Sequence, residues 1–378
     1  MRNFGELGYF IKTLPLPRSA IIDFSNTFYI HYGDIHSTFN GFINADTYLP
    51  NIEDLIFEDI VLNGDLIFAD ASEDYENLGK TALIENTNQR KIISGLHTHA
   101  FRPNKNLISP LYLKYYTDSP SFRIQMRKRG QGISVLGISK TEINKIQVSF
   151  PSYGTQLKYS NGIKNVDNKI ALLEDKLENL KLFKIGLIDL IINKMIAKKK
   201  LIQLSKYYIR ASEGGTPSTK ISEYYQPGKI PFIKVDDLTN KYLSDVKDYI
   251  TELGLTKSSA WIVPKDSIIY SNGATIGNIS INKLSVSTKQ GILGIVLRKS
   301  MIPEFVYYLM SSTYFNREIH RITTRGTMKT AYIKDVSKIF VPEISLIEQA
   351  TAIKSLNSLD NKLEKLKINI ENLKQFNL

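Results

Sequence analysis

The sequence predicts an α/β (α+β) fold in which two domains are joined by two long antiparallel helices that form an intramolecular coiled coil, arranged as a pseudo-twofold tandem repeat. Apolar residues recur at steps of four and three in two stretches, a spacing that keeps one seam on one side of a helix. Each seam residue of the second stretch lies 193 residues after its counterpart in the first. The seam residues are Val166, Ile170, Leu173, Leu177 and Leu180, then Leu359, Leu363, Leu366, Ile370 and Leu373.

The same offset extends into the segments around the helices. Asp167-Asn168-Lys169 recurs as Asp360-Asn361-Lys362, and the helix-opening Pro110 recurs as Pro303. A period of this length is far too long for a solenoid, so it indicates a duplicated module of domain plus helix. The predicted parts are a first domain at 1–157, a spacer helix at 158–200, a second domain at 201–345 and a second spacer helix at 346–378.

Within the first domain the pattern predicts short strands and a few helices. A turn at Leu62–Asp65 precedes a short buried strand at 66–69. Pro110 opens a helix, because proline suits the first helical turn. The basic run at 123–131 is predicted to form a glycine-bearing loop.

The second domain repeats this plan. Residues 213–218 and 271–277 are predicted loops, and 230–236 is a predicted edge strand because it contains Pro231. Pro303 opens the counterpart of the helix at Pro110, and 325–329 corresponds to the basic run of the first domain.

Composition bounds the class of protein. Of 378 residues, 42% are hydrophobic and 23% charged, values typical of globular domains. The absence of cysteine excludes disulfides, thiolate zinc sites and a cysteine nucleophile. The N-terminus does not resemble a signal peptide. The most apolar stretch, 185–197, contains charged residues and is short of the ~20 apolar residues of a membrane span, so no membrane partner is expected.

The net charge of +12 indicates a polyanionic partner, nucleic acid first and an anionic membrane second. Lysine-rich proteins without a nucleic-acid role share such a balance, so charge alone leaves both alternatives open. Residues 1–157 have a net charge of −1 and residues 201–345 a net charge of +7. The second domain is therefore the better predicted surface for a polyanion.

The motifs of an enzyme are missing. Leu78–Thr81 ends like a phosphate-binding loop, but Asp74 stands where its first glycine is required. No Gly-x-Ser-x-Gly, His-Glu-x-x-His or amino-methyltransferase tetrapeptide occurs. His97 and His99 could together contribute to a metal site, but no acidic residue stands near them in the sequence, so a packed or surface pair is the favoured interpretation. No catalytic residue, metal or cofactor is predicted in this chain.

Basic residues in glycine-bearing loops recur at equivalent points of the two domains. Arginine can read guanine with two hydrogen bonds, lysine can hold phosphate, and glycine lets the backbone approach closely. Ordinary solubilising loops are the alternative. The candidate DNA-binding residues are Arg127, Lys128, Arg129, Gln131, Ser218, Lys220, Tyr224, Tyr225, Asn272, Lys289, Arg321, Arg325, Thr327 and Lys329.

With these features the chain resembles the specificity subunit of type I restriction-modification systems over essentially its whole length. The resemblance depends on the two-module layout, the paired Asp-Asn-Lys helices and motifs of the second module. These motifs are Gly214–Ser218, Ile230–Phe232, Ser271–Gly277, Arg325–Thr327 and Val341–Glu343. The first module lacks counterparts of the loops at 214–218 and 274–277 and keeps only Asn63–Asp65 and Gly79.

The resemblance implies a non-catalytic chain with two target recognition domains, each reading half of a bipartite, asymmetric DNA sequence. The helices would set the spacing and dock two modification subunits, with Phe183, Leu187 and Ile191 on the docking surface. Two restriction subunits would complete the complex. S-adenosylmethionine, ATP and Mg²⁺ would belong to these partners, and the complex would be DNA-associated in the bacterial cytoplasm.

Two other classes remain as alternatives. One is a coiled-coil scaffold with no nucleic-acid role, which the acidic balance of the first domain favours. The other is a stand-alone methyltransferase or nuclease, which the missing motifs disfavour. The target bases do not follow from the sequence.

Overall fold

The computed structural model describes residues 1–273, 275–323 and 330–376. These form two compact units, unit 1 from Met1 to Lys169 and unit 2 from Ile170 to Phe376. The boundary falls inside the first long helix, which therefore contributes to both units.

Unit 1 is a mixed α/β unit of short strands. Its strands are β1 (Arg2–Asn3), β2 (Gly8–Ile11), β3 (Ile21–Ile22), β4 (Thr27–Ile30), β5 (Phe42–Ile43), β6 (Asn51–Ile52), β7 (Leu66–Ala69), β8 (Ala71–Ser72), β9 (Thr81–Ile84), β10 (Lys91–Ser94), β11 (Thr98–Pro103), β12 (Leu136–Gly137) and β13 (Gln147–Val148). Its helices are α1 (Tyr32–Ser37), α2 (Pro110–Asp118), α3 (Pro120–Arg129), α4 (Lys140–Asn144) and the start of α5 (Tyr153–Lys198).

Unit 2 contains the rest of α5 and a second α/β arrangement. Its strands are β14 (Leu201–Gln203), β15 (Tyr208–Glu213), β16 (Ile230–Ile233), β17 (Tyr242–Leu243), β18 (Tyr249–Ile250), β19 (Ile268–Ser271), β20 (Ile279–Asn282), β21 (Ser287–Thr288), β22 (Ile292–Leu297) and β23 (Phe340–Pro342). Its other helices are α6 (Glu252–Thr256), α7 (Pro303–Ser311), α8 (Thr313–Ile322), α9 (Ile333–Val336) and α10 (Leu346–Phe376).

The central sheets of the two units have the same topology. The five strands of unit 1 lie in the order β2-β11-β7-β9-β5, and those of unit 2 in the order β15-β22-β19-β20-β17. In each sheet only the last pair is parallel, β5 with β9 and β17 with β20. The smaller sheets also match, since β4 lies between β6 and β10 as β16 lies between β18 and β21.

Apolar side chains from sheet and helices form the cores. In unit 1, Phe4, Phe68, Phe101 and Phe122 are fully buried and cluster with α2 and α3. In unit 2, the main core is formed by the central sheet, by α7 and α8, and by residues of both long helices. The long-helix residues are Ile188, Ile192, Ile353 and Leu356. The long helices are therefore part of the core of unit 2 and not appended to it.

Three ion pairs join α5 and its C-terminal flank to α10 within unit 2. Glu174 pairs with Lys374 at 2.7 Å and Lys184 with Asp360 at 2.5 Å. Lys199, just after α5, pairs with Glu348. Because the partner number falls as the α5 number rises, the two helices run antiparallel here.

The seam residues of unit 2 face inward. Ile170, Leu173, Leu359, Leu363 and Ile370 are buried. The remaining ones, Leu177, Leu180, Leu366 and Leu373, are half-buried. Val166 of unit 1 is half-buried as well. The burial agrees with the 4-3 spacing.

Several predicted elements are confirmed. The strand at 66–69 is buried throughout, and Pro110 and Pro303 each occupy the first turn of a helix. The helix predicted from residue 158 begins earlier, at Tyr153. The extra residues carry no seam position, so the apolar spacing could not indicate them.

The predicted edge strand at 230–236 was wrong, because β16 lies between two neighbours. Pro231 lacks an amide hydrogen, yet it does not interrupt the pairing with β18. The amides of the flanking residues make those bonds instead: Lys229 donates to Ile250 at 3.1 Å and Phe232 to Asp248 at 2.9 Å.

Candidate nucleic-acid interface

Three loops of unit 2 meet at one end of its central sheet. β15 and β19 both run antiparallel to β22, so the residues that follow them lie beside the residues that precede β22. The amide of Gly215 donates to the carbonyl of Thr288 at 3.0 Å, and the amide of Asn272 donates to that of Gly291 at 3.0 Å. The residues at 214–220, 272–273 and 289–291 thus form one surface at this end.

The paired glycines of the first loop are required by close backbone approach. A Cβ at position 214 would lie 2.0 Å from the carbonyl oxygen of Thr288. A Cβ at position 215 would lie 2.5 Å from the amide nitrogen of Ala260. Only glycine fits in both places, so the loop backbone can lie close against its neighbours.

Of the predicted residues of unit 2, Ser218, Lys220 and Lys289 are exposed on this surface. They present two ammonium groups and a hydroxyl from two adjoining loops. Gln290 was missed by the sequence analysis. It is exposed beside Lys289, and its backbone amide donates to the hydroxyl oxygen of Thr216 at 3.4 Å.

Two further predicted residues of unit 2 are the tyrosines Tyr224 and Tyr225. Tyr225 donates its hydroxyl hydrogen to the carbonyl of Pro217 at 2.6 Å and packs edge-on against Phe232. Burial raises the pKa of Tyr225, which remains a neutral donor. Tyr224 is half-buried, and its carbonyl accepts from the amide of Thr251 at 2.9 Å. Tyr225 therefore positions the backbone of the first loop.

The prediction for Asn272 was wrong. Its side chain is fully buried and donates from Nδ2 to the carbonyl of Ala331 at 3.2 Å. A buried amide that holds two backbone segments together cannot reach a base. The sequence placed it correctly in a loop but could not show that its side chain points inward.

The basic cluster of unit 1 lies in the last turn of α3, so its assignment to a loop was wrong. Ser119 caps the start of that helix, Pro120 occupies its first turn, and the helix ends at Arg129 with Gly130 as its C-cap. The guanidinium of Arg127 pairs with Glu76, and that of Arg129 donates to the carbonyl of Gln125 at 3.1 Å. Cations suit this end of a helix in any case.

Two other predicted residues near this turn are exposed. Lys128 points into solvent, and the backbone of Gln131 pairs with that of Gly137 while its side chain is exposed. In unit 2, Arg321 lies in the last turn of α8 and pairs with Glu318 at 2.7 Å. Arg325, Thr327 and Lys329 lie outside the described residues.

The equivalent sheet end of unit 1 carries a polar cluster that the sequence analysis missed. Asp70 follows β7, and its carboxylate lies 3.2 Å from Nδ1 of His97 and 3.8 Å from Nε2 of His99. The sequence shows no acid close to these histidines, but the fold brings Asp70 next to both of them. The sequence signal was absent because nearly thirty residues separate them from Asp70.

This cluster does not form a metal site. Throughout the described parts of the chain, no group of three or more His, Asp or Glu side chains is placed to hold a metal ion. Nor does any helix there have the length and apolar character needed to cross a membrane.

Residues 195–373 match the family model of the type I restriction modification DNA specificity domain. The putative MjaX specificity subunit of Methanocaldococcus jannaschii is 24% identical over 345 residues, covering 84% of this chain and 77% of that protein. The MjaIX specificity subunit of the same organism is 31% identical over 157 residues, 41% of this chain and 36% of that protein. The Escherichia coli EcoR124I/EcoR124II specificity subunit is 24% identical over 168 residues, 43% and 40% of the two chains.

Solved structures share the fold at low sequence identity. The type I S subunit from M. genitalium superposes with a TM-score of 0.57 at 14% identity, covering 100% of this chain and 93% of that one. A chain from a study of complex assembly and conformational transition of the type I R-M system gives 0.64 at 15% identity, covering 99% and 94%.

Together, the fold and these matches identify a DNA specificity domain in the C-terminal half of the chain. The relative that matches 84% of the chain is described as a putative type I specificity subunit. Residues 195–373 carry the type I restriction modification DNA specificity domain, and over most of its length the chain is similar to type I specificity subunits.

Proposed function

We propose that this chain is the DNA-recognition subunit of a type I restriction-modification complex, and that each unit is a target recognition domain for one half of a bipartite, asymmetric DNA sequence. The observation that carries the proposal is the repetition of one sheet topology in units 1 and 2. In unit 2 the loops at one sheet end present Ser218, Lys220 and Lys289, side chains that suit DNA groove and phosphate contacts.

In this proposal α5 and α10 form an antiparallel intramolecular coiled coil that sets the spacing between the half-sites. The order of the three ion pairs and the burial of the seam residues in unit 2 support it. With 46 residues, α5 is about 69 Å long, well beyond the ~34 Å of one turn of DNA. The two modules would then form a pseudo-twofold tandem repeat.

The partners in this proposal are two modification subunits docked on the helices and two restriction subunits. S-adenosylmethionine, ATP and Mg²⁺ belong to them, and this chain is non-catalytic. Exposed apolar residues on α5 support a docked partner: Leu182 is 66% exposed, Phe183 60% and Leu190 66%. Leu187 and Ile191, predicted to lie on the same surface, instead pack against the core of unit 2.

Methylation-sensitive sequencing of a genome that carries this chain and its modification subunits tests the proposal. We expect one split, asymmetric motif with a fixed spacer. A single continuous motif would overturn the bipartite reading. Modified bases that do not depend on this chain would overturn its role in recognition.

Lys289→Ala tests whether the loop surface of unit 2 contacts DNA. We expect weaker binding of the purified complex to its duplex and a salt dependence whose slope falls by about one, as for the loss of one phosphate contact. Lys299→Ala is the matched control, since Lys299 is equally exposed but follows the opposite end of β22. Equal effects of the two variants would place the DNA elsewhere, and binding insensitive to salt would favour the scaffold alternative.

A further inference from the structure

The two units share a hydrogen-bond pattern at the end of the central sheet. In unit 2 the amide of Asn272 donates to Gly291 at 3.0 Å, and the carbonyl of Asn272 accepts from Ala331 at 3.0 Å. In unit 1 the amide of Asp70 donates to His97 at 3.0 Å, and the carbonyl of Asp70 accepts from Ile138 at 2.9 Å. His97 therefore occupies the place of Gly291, beside the residues that form the loop surface of unit 2.

His97 adopts a backbone conformation that favours glycine. Its φ is 56°, and that of Gly291 is 85°. A side chain at positive φ is uncommon and strained, and such strain concentrates at functional positions. Unit 1 has His97 at the position where unit 2 has Gly291, and the side chain of His97 is 51% exposed. The backbone thus holds a polar ring outward at the sheet end.

The neighbours of His97 fix which of its nitrogens faces outward as an acceptor. Nδ1 lies 3.2 Å from Oδ1 of Asp70, and an ionised carboxylate only accepts hydrogen bonds. The hydrogen of the neutral ring is therefore favoured on Nδ1, and Nε2 carries the lone pair. Tyr32 packs edge-on against the ring at 5.4 Å and holds its orientation.

We propose that His97 is a base-reading residue of unit 1 whose Nε2 accepts a hydrogen bond from an amino group in the DNA major groove, adenine N6 or cytosine N4. These are the donors that the major groove presents on base edges. A neutral acceptor also suits unit 1, whose residues 1–157 have a net charge of −1 and offer little attraction for phosphate. The inference rests on the proposed function and adds to it a residue and a hydrogen-bond type.

His97→Gly is the variant that tests this assignment, because glycine adopts the same backbone conformation without strain. Asn88→Gly is the matched control: Asn88 also has positive φ (50°) and is exposed, but it lies beyond the end of β9, at the opposite end of the sheet. Each variant is expressed with the modification subunits and its methylated motif is mapped. We expect His97→Gly to relax one base pair in one half-site, and Asn88→Gly to leave the motif unchanged.

A binding cycle then identifies the chemical group. At the relaxed base pair, duplexes are made with purine in place of adenine or 2-pyrimidinone in place of cytosine, so that only the amino group is lost. The wild-type complex should bind the altered duplex about tenfold more weakly, and the His97→Gly complex should bind both duplexes equally. An unchanged motif for His97→Gly, or equal sensitivity of both complexes to the lost amino group, overturns the inference. Absence of any split motif for the wild-type complex overturns the proposed function instead.

Discussion

His31 is buried and His99 half-buried in unit 1. Burial lowers the pKa of His99, although Asp70 and the carbonyl of Ile138 partly oppose the shift. Burial also lowers the pKa of His31, whose Nδ1 accepts from the amide of Gly33 at 3.1 Å. Both rings are therefore neutral in the folded protein near pH 7. Protonation must favour the unfolded chain, in which histidine has a pKa near 6.5.

The stability of unit 1 should consequently depend on pH below neutrality. The folded-state pKa values lie below the unfolded one, so the contribution of the neutral rings is complete above about pH 6.5 and is lost as the pH falls further. We expect the free energy of unfolding to decrease from pH 7 to pH 5 in urea titrations. His99→Gln should reduce this decrease, whereas His320→Gln in unit 2 should preserve it. An identical pH dependence in the two variants would contradict the assignment.

At the next scale, the repeated Asp-Asn-Lys motif connects each long helix to a short one in its own unit. Tyr115 of α2 donates to Asp167 of α5 at 2.6 Å, and Tyr308 of α7 donates to Asp360 of α10 at 2.5 Å. In unit 2 the carboxylate also pairs with Lys184 and Lys241. The apolar seam sets the face of a long helix, and this aspartate sets its register against the domain.

The pKa of Asp360 shows how strongly this network holds the carboxylate. Burial alone would raise the pKa, but hydrogen bonds from Lys184, Tyr308 and Lys241 outweigh burial and lower it. Burial lowers the pKa of Lys241, which Asp360 opposes. The pair is thus buried and mutually dependent.

We expect Asp360→Asn to destabilise unit 2 by about 3 kcal/mol, because it leaves the largely buried ammonium of Lys241 without its counter-charge. Glu364→Gln, an exposed change one turn further along α10, should alter stability by less than about 0.5 kcal/mol. Thermal and urea unfolding of the two variants would measure the difference. Comparable losses in both would mean that the network contributes little.

At the scale of the whole molecule, the two units repeat one topology, and in the proposed function each reads one half-site. The proposed function therefore depends on the distance between the two modules. The paired helices are the part of the chain that could set this distance. The seam repeats in heptads, so one heptad can be removed from each helix outside the residues at 188, 192, 353 and 356 that pack in the core of unit 2.

Removal of one heptad from each helix, residues 173–179 and 366–372, should shorten the spacer in the methylated motif. Seven residues correspond to about 10 Å of helix, or about three base pairs at ~3.4 Å each. Both half-site sequences should persist. Deletion of the heptad in α5 alone, which mismatches the seam, should lower complex stability. A mapped motif with its original spacer after the paired deletion would exclude the helices as the ruler.

Local signals in the sequence determined the long helices, their seam and the helix starts at Pro110 and Pro303. Each depends on residues within a few turns of one another, where spacing and capping act directly. The missing enzyme motifs and the glycine pair at 214–215 were visible in the same way.

Only the tertiary structure decided which polar side chains reach the surface. The side chain of Asn272 is buried, that of Arg127 is paired with Glu76, and the carboxylate of Asp70 lies next to the imidazole of His97. These outcomes depend on strand pairing between distant segments. The connections between paired strands differ in length between the two units, so the 193-residue offset does not carry through them. Side-chain direction at the sheet ends therefore follows from packing, which no local pattern in the sequence records.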